Sequence, residues 1–153
     1  MTPHLFALGT LLFALGVHAE TLEGRVTHVV GGDTLDVMSQ GNRIRVRIGE
    51  IAAPQHGQPY GHRSRQSLIA LCGGEAVRID ADKHDGNGHL LGHVRCNGVD
   101  AGTEQVRQGM AWVFVRYAPA DSPLYAIEAE ARAARRGLWA TLHPVPPWEW
   151  RRR

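Results

Sequence analysis

The order of apolar and polar residues along the chain predicts a small β-barrel. Ile44, Val46 and Ile48 alternate with arginines, a period of two that buries one strand face and leaves three basic side chains on the other. Two earlier strands are indicated by the β-branched residues of segments 22–30 and 33–38, each followed by a glycine-containing turn. Because the connections are short, the three strands are expected to form an antiparallel meander.

Helical periodicity marks the rest of the chain. A helix is predicted at 62–72, strands at 75–81 and 90–96, a short helix at 100–108 and a longer helix that begins near Pro123. Five strands interrupted by a helix after the third match the order of an OB-type barrel. The predicted fold class is therefore α+β, a five-stranded OB-type β-barrel with about three packed helices.

The N-terminal residues have the pattern of a secretory signal peptide. Residues 5–17 are apolar and uncharged, too few to span a bilayer, and small residues at Val17 and Ala19 suit cleavage. We expect residues 1–19 to be a signal peptide and residues 20–153 to be one domain, periplasmic or secreted, with no membrane attachment after cleavage. An N-terminal core helix is the alternative.

Two cysteines in an exported chain can form a disulfide. A bond between Cys72 and Cys96 would close a loop of about 25 residues and add roughly 3 kcal/mol if it acts on the entropy of the unfolded chain. Two buried free thiols are the alternative.

The charge balance does not by itself indicate a partner. The net charge is +2, and every basic residue except Lys83 is arginine, whose planar guanidinium suits phosphate. A GC-rich genome would produce the same arginine bias, so composition leaves the partner open.

Four segments, in order along the chain, give it a specific resemblance to a known family. They are residues 31–35 (GGDTL), 47–55 (RIGEIAAPQ), 57–61 (GQPYG) and 135–139 (RRGLW). On these segments the chain resembles the staphylococcal nuclease family. The resemblance implies an OB barrel with three helices, calcium-dependent cleavage of DNA and RNA, and DNA or RNA as the partner.

Carried over residue by residue, the resemblance implies a degenerate catalytic set. The family's metal-binding Asp-Gly-Asp aligns with residues 31–33, so Gly31 replaces the first aspartate and Asp33 retains the second. Arg47 matches the phosphate-binding arginine. Ala52 occupies the position of a second metal-ligating aspartate, Gln55 that of the proposed general base, and His89 that of the second catalytic arginine. An amide cannot accept a proton at neutral pH, and a histidine cannot bind phosphate bidentately. Calcium prefers six to eight oxygens, so it is expected to bind weakly.

Nearby side chains could compensate for the lost metal ligands. Glu50 shares strand parity with the lost aspartate position and could join Asp33 as a metal ligand, although a solvated glutamate is the simpler interpretation. His89 and His93, with His84 nearby, could form a nitrogen-rich site for zinc or another transition metal. Surface histidines are the alternative.

Basic and aromatic residues could hold a nucleic-acid strand by charge and stacking. Arg43 and Arg45 share a strand face with Arg47, and Tyr117 adds an aromatic ring. A solvated strand face explains Arg43 and Arg45 equally well. Asp36 has the opposite strand parity to the metal-ligand candidate, so it is expected to be exposed and to face away from the site.

Two functions follow from this pattern. The first is a nuclease-family domain, expected as a monomer, that binds nucleic acid or a protein partner with hydrolysis lost or strongly reduced. The second is an active endonuclease with altered metal dependence. The loss of three separate functional groups favours the first. A structural or inhibitory role without nucleic-acid contact is a third alternative.

Overall fold

A computed structural model describes residues 19–151, apart from the side chain of Asp82, so the predicted signal peptide, except for Ala19, lies outside the described residues. The barrel strands are β1 (Glu20–Gly31), β2 (Thr34–Ser39), β3 (Asn42–Ile48), β5 (Ala76–His84) and β6 (Leu90–Cys96). Three shorter strands are β4 (Ile51–Ala52), β7 (Val99–Asp100) and β8 (Trp112–Val113). The helices are α1 (Gly61–Cys72), α2 (Ala101–Arg107), α3 (Leu124–Ala133) and α4 (Pro147–Trp150).

A parallel pairing of β3 with β6 closes the barrel, whose strand order is β3-β2-β1-β5-β6. Across this closure Val46 lies opposite Leu90, and Ile48 lies opposite Gly92. A Cβ on Gly92 would lie 2.5 Å from the Asp80 carbonyl oxygen, so a glycine is required where β6 approaches β5. The predicted α+β class with a five-stranded OB-type barrel is confirmed.

The structure shows the alternation of buried and outward-facing side chains that was predicted for β3. Val46 and Ile48 are buried in the core, whereas the arginines between them point outward. Leu68 of α1 and Val106 of α2 are fully buried against the same core. Each such side chain contributes roughly 1.5–3 kcal/mol on burial, so the apolar periodicity is what stabilises the barrel with its helices.

A disulfide joins α1 to the end of β6. Cys72 and Cys96 are bonded to each other, and both lie in the hydrophobic core. The two cysteines are 24 residues apart in the sequence, so the bond ties α1 covalently to the barrel.

None of the helices in residues 19–151 has the length and hydrophobicity needed to cross a membrane.

Two short strands, β4 and β8, were not apparent from the sequence pattern. Ala52 of β4 pairs with Trp112 of β8, and this small sheet holds the chain after β3 against the segment that follows α2.

Asp36 is buried, with 2 % of its side chain exposed, so the prediction that it is exposed was wrong. Arg45 donates to both carboxylate oxygens, from Nε at 2.8 Å and from Nη2 at 3.1 Å, and Arg43 approaches to 3.5 Å. The hydrogen bond from Arg45 holds the pKa of Asp36 below its ordinary value of 3.8, although burial opposes this shift. Strand parity failed because arginine side chains on the neighbouring strand cover an outward-pointing carboxylate.

We expect Asp36→Asn to reduce the pH dependence of stability in acid. A carboxylate with a lowered pKa in the folded state stabilises the protein above its unfolded pKa, and this contribution is lost as the pH falls through the folded pKa. Urea unfolding of the wild type should therefore give a free energy that declines below about pH 4. Asp36→Asn should lose roughly 1–3 kcal/mol at pH 7, because charged hydrogen bonds are removed, and should decline less in acid.

Asp121→Asn is the matched control, because Asp121 is exposed. Some acid dependence should remain in Asp36→Asn, since the pKa of Asp85 is also lowered. Parallel stability curves for Asp36→Asn and the wild type between pH 2 and pH 7 would contradict the assignment.

Candidate functional site

Arg47 carries a positive charge that no carboxylate of the described residues neutralises. Its Cζ lies 5.5 Å from the ring centroid of Phe114 and 5.7 Å from that of Tyr117. Its Nε is buried and has no hydrogen-bond partner among the described residues. Burying an unpaired N–H is unfavourable, so the arrangement favours an acceptor supplied from outside the chain.

Tyr117 is the centre of a small group of cations. Besides Arg47, the side chains of Lys83 and Arg116 each lie 5.9 Å from its ring centroid. Phe114 packs edge-on against the same ring, with centroids 5.2 Å apart. We call these five residues the cationic aromatic surface. Three positive charges from separate segments converge there, which creates a local potential that attracts phosphate.

Asp33 fastens the turn between β1 and β2 to the chain after β4. One carboxylate oxygen accepts the Ala53 N–H at 2.8 Å, and the other accepts the Thr34 hydroxyl at 2.8 Å. The neighbouring Gly32 carbonyl accepts a hydrogen bond of 2.7 Å from the buried Gln105 amide. Asp33 is therefore held firmly in place, and each of its oxygens already has one protein donor.

Glu50 does not lie on a continuous strand with Ala52. Residues 49–50 form a turn between β3 and β4, and Glu50 has a positive φ of 65°. Its carboxylate lies 3.5 Å from Nε2 of His93. The strand parity on which its predicted role as a metal ligand depended is interrupted by this turn.

His89 is paired with Asp85 at the end of the β5–β6 hairpin. Asp85 accepts the backbone N–H groups of Asn87 and His89, both at 2.9 Å, and Nδ1 of His89 lies 3.2 Å from its other oxygen. Burial raises the pKa of Asp85, but the two N–H groups and the imidazole outweigh burial and hold that pKa below its ordinary value. The ring of His89 is thus occupied by a carboxylate of its own hairpin.

Gln55 lies in the loop between β4 and α1, which is tied to the C-terminal segment. Its backbone N–H donates to Oε1 of Gln58 at 2.9 Å. Gln58 is buried, and its Nε2 donates to the Val145 carbonyl at 2.5 Å. The side chain of Gln55 is half-buried, so its amide remains in contact with solvent water.

The arginine stripe of β3 separates into two kinds of side chain. Arg43 and Arg45 both pair with Asp36, which offsets part of their positive charge. Arg47 is stacked on aromatic rings instead. Of the predicted nucleic-acid contacts, the structure therefore brings together Arg47 and Tyr117 and leaves Arg43 and Arg45 with an acidic partner.

Comparison with known proteins decides the family. The family model described as "Staphylococcal nuclease homologue" matches residues 45–141. The chain belongs to the staphylococcal nuclease family. An "Uncharacterized endonuclease" from Escherichia coli is 37 % identical over 143 residues, covering 93 % of each chain. A "Micrococcal nuclease" from Shigella flexneri is 36 % identical over 139 residues, covering 84 % of this chain and 80 % of that protein.

Family members of this kind are expected to use calcium, but the residues present here do not fit a calcium site. Asp33 is the one carboxylate left at the motif positions, since Gly31 and Ala52 have no side-chain oxygen. Among the side chains that the structure describes, no three His, Cys, Asp or Glu groups are placed to hold a metal ion. The two histidines that were suggested as ligands of a transition metal, His89 and His93, are each paired with a carboxylate.

Several residues of the site were not identified from the staphylococcal nuclease motifs. Phe114, Lys83 and Arg116 complete the cationic aromatic surface, and Trp148 stacks on Phe114. Residues 110–117 form an apolar and aromatic run, a pattern that indicates packing on the barrel. Nothing local in that run indicated that it lies beside Arg47, because the β4–β8 pairing that brings it there is long-range.

Proposed function

We propose that residues 20–153 form an exported nuclease-family domain that binds nucleic acid at the cationic aromatic surface, with phosphodiester hydrolysis strongly reduced. The observation that carries this proposal is the convergence of three cations on Tyr117, with the Arg47 guanidinium free of any carboxylate among the described residues. Phosphate oxygens are the acceptors that such a guanidinium binds best.

The weak hydrolysis follows from three missing contributions. Ala52 supplies no metal ligand, Gln55 cannot accept a proton, and His89 offers a ring already paired with Asp85. A positioned general base contributes about 10²–10⁴-fold to a reaction, and removal of one group that stabilises transition-state charge costs about 10²–10³-fold. The three losses together leave a site that can attract a phosphodiester but has little means of cleaving it.

The expected ligand is a single strand of DNA or RNA. Half-buried aromatic rings beside exposed cations suit unstacked bases and the adjacent phosphates. Stacking and backbone charge carry little sequence information, so we expect binding without strong sequence preference.

A second candidate, an active endonuclease with altered metal dependence, is favoured by one observation. Relatives that cover most of this chain carry the names endonuclease and micrococcal nuclease. In this alternative, Asp33 and bound waters would hold a cation, and an oxygen of the substrate phosphate would complete its coordination shell.

Export is part of the proposal. The signal-peptide pattern of residues 1–19 supports a periplasmic or secreted location. The bond between Cys72 and Cys96 agrees with an oxidising compartment.

Arg47→Ala is expected to weaken binding of a fluorescein-labelled 12-nucleotide single strand by about 10-fold or more at low salt. Removing one phosphate contact should also reduce the slope of log K against log salt by about 1. Fluorescence anisotropy from 20 to 300 mM NaCl measures both quantities. Arg43→Ala is the matched control and should change affinity much less, because Arg43 is exposed and pairs with Asp36.

Cleavage of the same strand distinguishes the two candidates. Residues 20–153 are assayed with calcium, magnesium, manganese, zinc or a chelator, and Arg47→Ala is purified in parallel to reveal contaminating nuclease. Metal-dependent cleavage that disappears in Arg47→Ala would establish the second candidate instead. A salt-independent wild type would show that no phosphate is bound, and the proposed function would fail.

A further inference from the structure

The C-terminal segment packs directly against the cationic aromatic surface. The ring of Trp148 stacks on Phe114, with centroids 5.4 Å apart and planes 22° apart. Phe114 is the ring over which the Arg47 guanidinium lies. Trp148 also meets the buried Trp112 edge-on at 6.4 Å, so it connects the core to the ring that supports Arg47.

The same segment is anchored at a second point. The Val145 carbonyl accepts a hydrogen bond from Gln58, whose side-chain oxygen accepts the backbone N–H of Gln55. Pro147, which begins α4, is buried. Residues 144–150 therefore touch two parts of the candidate site, the ring beneath Arg47 and the loop that carries Gln55. We call these residues the C-terminal strap.

We propose that Trp148 is a positioning residue for the anion site, and that the C-terminal strap is an integral part of that site. This inference rests on the proposed function, because it concerns how Arg47 is presented to a phosphate. Trp148 acts through Phe114 and makes no direct contribution to binding charge.

The physical reason is preorganisation. An arginine side chain has many rotamers, and a ligand that must select one of them binds more weakly than a ligand that meets a guanidinium already in place. Phe114 can hold Arg47 in place only if its own ring is fixed. Burial alone does not fix that ring, because Phe114 is half-buried and the next residue, Val115, is exposed. Stacking with Trp148 supplies that restraint.

Trp148→Ala in the full chain is expected to weaken binding of the 12-nucleotide single strand by about 10-fold, which corresponds to loss of a well-packed aromatic pair. The salt slope should stay as in the wild type, because Arg47 still contacts phosphate. Trp148→Phe keeps a ring on Phe114 and should restore affinity to within about threefold. Leu142→Ala is the matched control, because Leu142 lies just outside the C-terminal strap with 85 % of its surface exposed, and this variant should bind as the wild type does.

A double-mutant cycle separates positioning from general stability. If Trp148 acts through Arg47, adding Trp148→Ala to Arg47→Ala should cause little further loss of affinity. If the two losses multiply fully, the proposal is overturned. If the alanine variant does not fold, Trp148→Leu replaces it in the same cycle. This variant keeps apolar bulk without a ring, and it should also weaken binding.

An NMR readout tests the inference without any ligand. The Nε–H of Arg47 is buried, and the guanidinium lies over the rings of Phe114 and Tyr117, so the Nε proton should be shifted by ring currents and exchange slowly with water. Trp148→Ala should speed that exchange and move the resonance, whereas Leu142→Ala should not. An unchanged Arg47 resonance in a folded Trp148→Ala variant would overturn the proposal. If the wild type binds no oligonucleotide, the proposed function fails and this measurement still decides the role of Trp148.

Discussion

Restoring three family residues together, with Ala52→Asp, Gln55→Glu and His89→Arg, should raise calcium-dependent cleavage of single-stranded DNA by at least about 100-fold. The triple variant returns a charged metal ligand, a base that can accept a proton and a second bidentate cation. The gain should exceed the sum of the single changes, because the three groups act on the same phosphate. Initial rates of oligonucleotide cleavage, with and without a chelator, measure the effect.

The structure shows where this reconstruction is easy and where it is difficult. Gln55 and His89 are half-buried at the surface, so longer or charged replacements can be solvated. Ala52 is buried opposite Trp112, so an aspartate there needs the metal to offset its desolvation. A Cβ on Gly31 would meet nothing within 4 Å, so Gly31→Asp can be added as a fourth change.

Two matched controls accompany the reconstruction. Replacing Ala52→Asp by Ala52→Asn keeps the size of the new side chain but removes its charge, and this version should recover little activity. Adding Arg47→Ala to the restored variant should abolish the gain. A folded triple variant with no more activity than the wild type would mean that the motif positions are misassigned or that further groups have been lost.

The second large effect concerns stability. Replacing both cysteines, with Cys72→Ala and Cys96→Ala, should lower the free energy of unfolding by about 3 kcal/mol. The reason is that the disulfide joins residues 24 positions apart in the sequence and so restricts the unfolded chain. For a domain of this size that loss corresponds to a melting temperature lower by roughly 10 °C. Differential scanning calorimetry under oxidising conditions measures it.

Reduction provides the control for lost packing. Both sulfurs lie in the hydrophobic core, so the alanine variant also loses some buried contacts. Adding dithiothreitol should lower the melting temperature of the wild type but leave that of the alanine variant unchanged. Equal melting temperatures for oxidised and reduced wild type would show that the bond contributes nothing to stability.

The barrel could be predicted because its signals are local. The alternation of Ile44, Val46 and Ile48 with arginines needs no distant partner, and neither do the glycine turns or the helix between the third and fourth long strands. The short strands β4 and β8 carry no such signal, since two residues are too few to show a period. Their pairing depends on the packing of the whole domain.

The candidate site could be predicted in part. Motif spacing predicts that Arg47 and Asp33 are retained site residues and that three positions are replaced, Ala52, Gln55 and His89. Strand parity misled at Asp36, where neighbouring arginines cover the carboxylate. At Glu50 the positive φ of a turn interrupts the strand on which the parity argument depended.

By itself, the sequence determined the fold class and the family resemblance, and it predicted the replacement of three functional groups, because hydrophobic period, turn residues and motif spacing are properties of neighbouring positions. Only the tertiary structure decided which of the β3 arginines have a carboxylate partner among the described side chains. Arg43, Arg45 and Arg47 are equivalent in the strand pattern, yet Asp36 pairs with two of them and two aromatic rings from one distant segment, residues 114–117, lie beside the third. Electrostatic partners depend on which strands and loops become neighbours in space, and that is set only when the barrel closes.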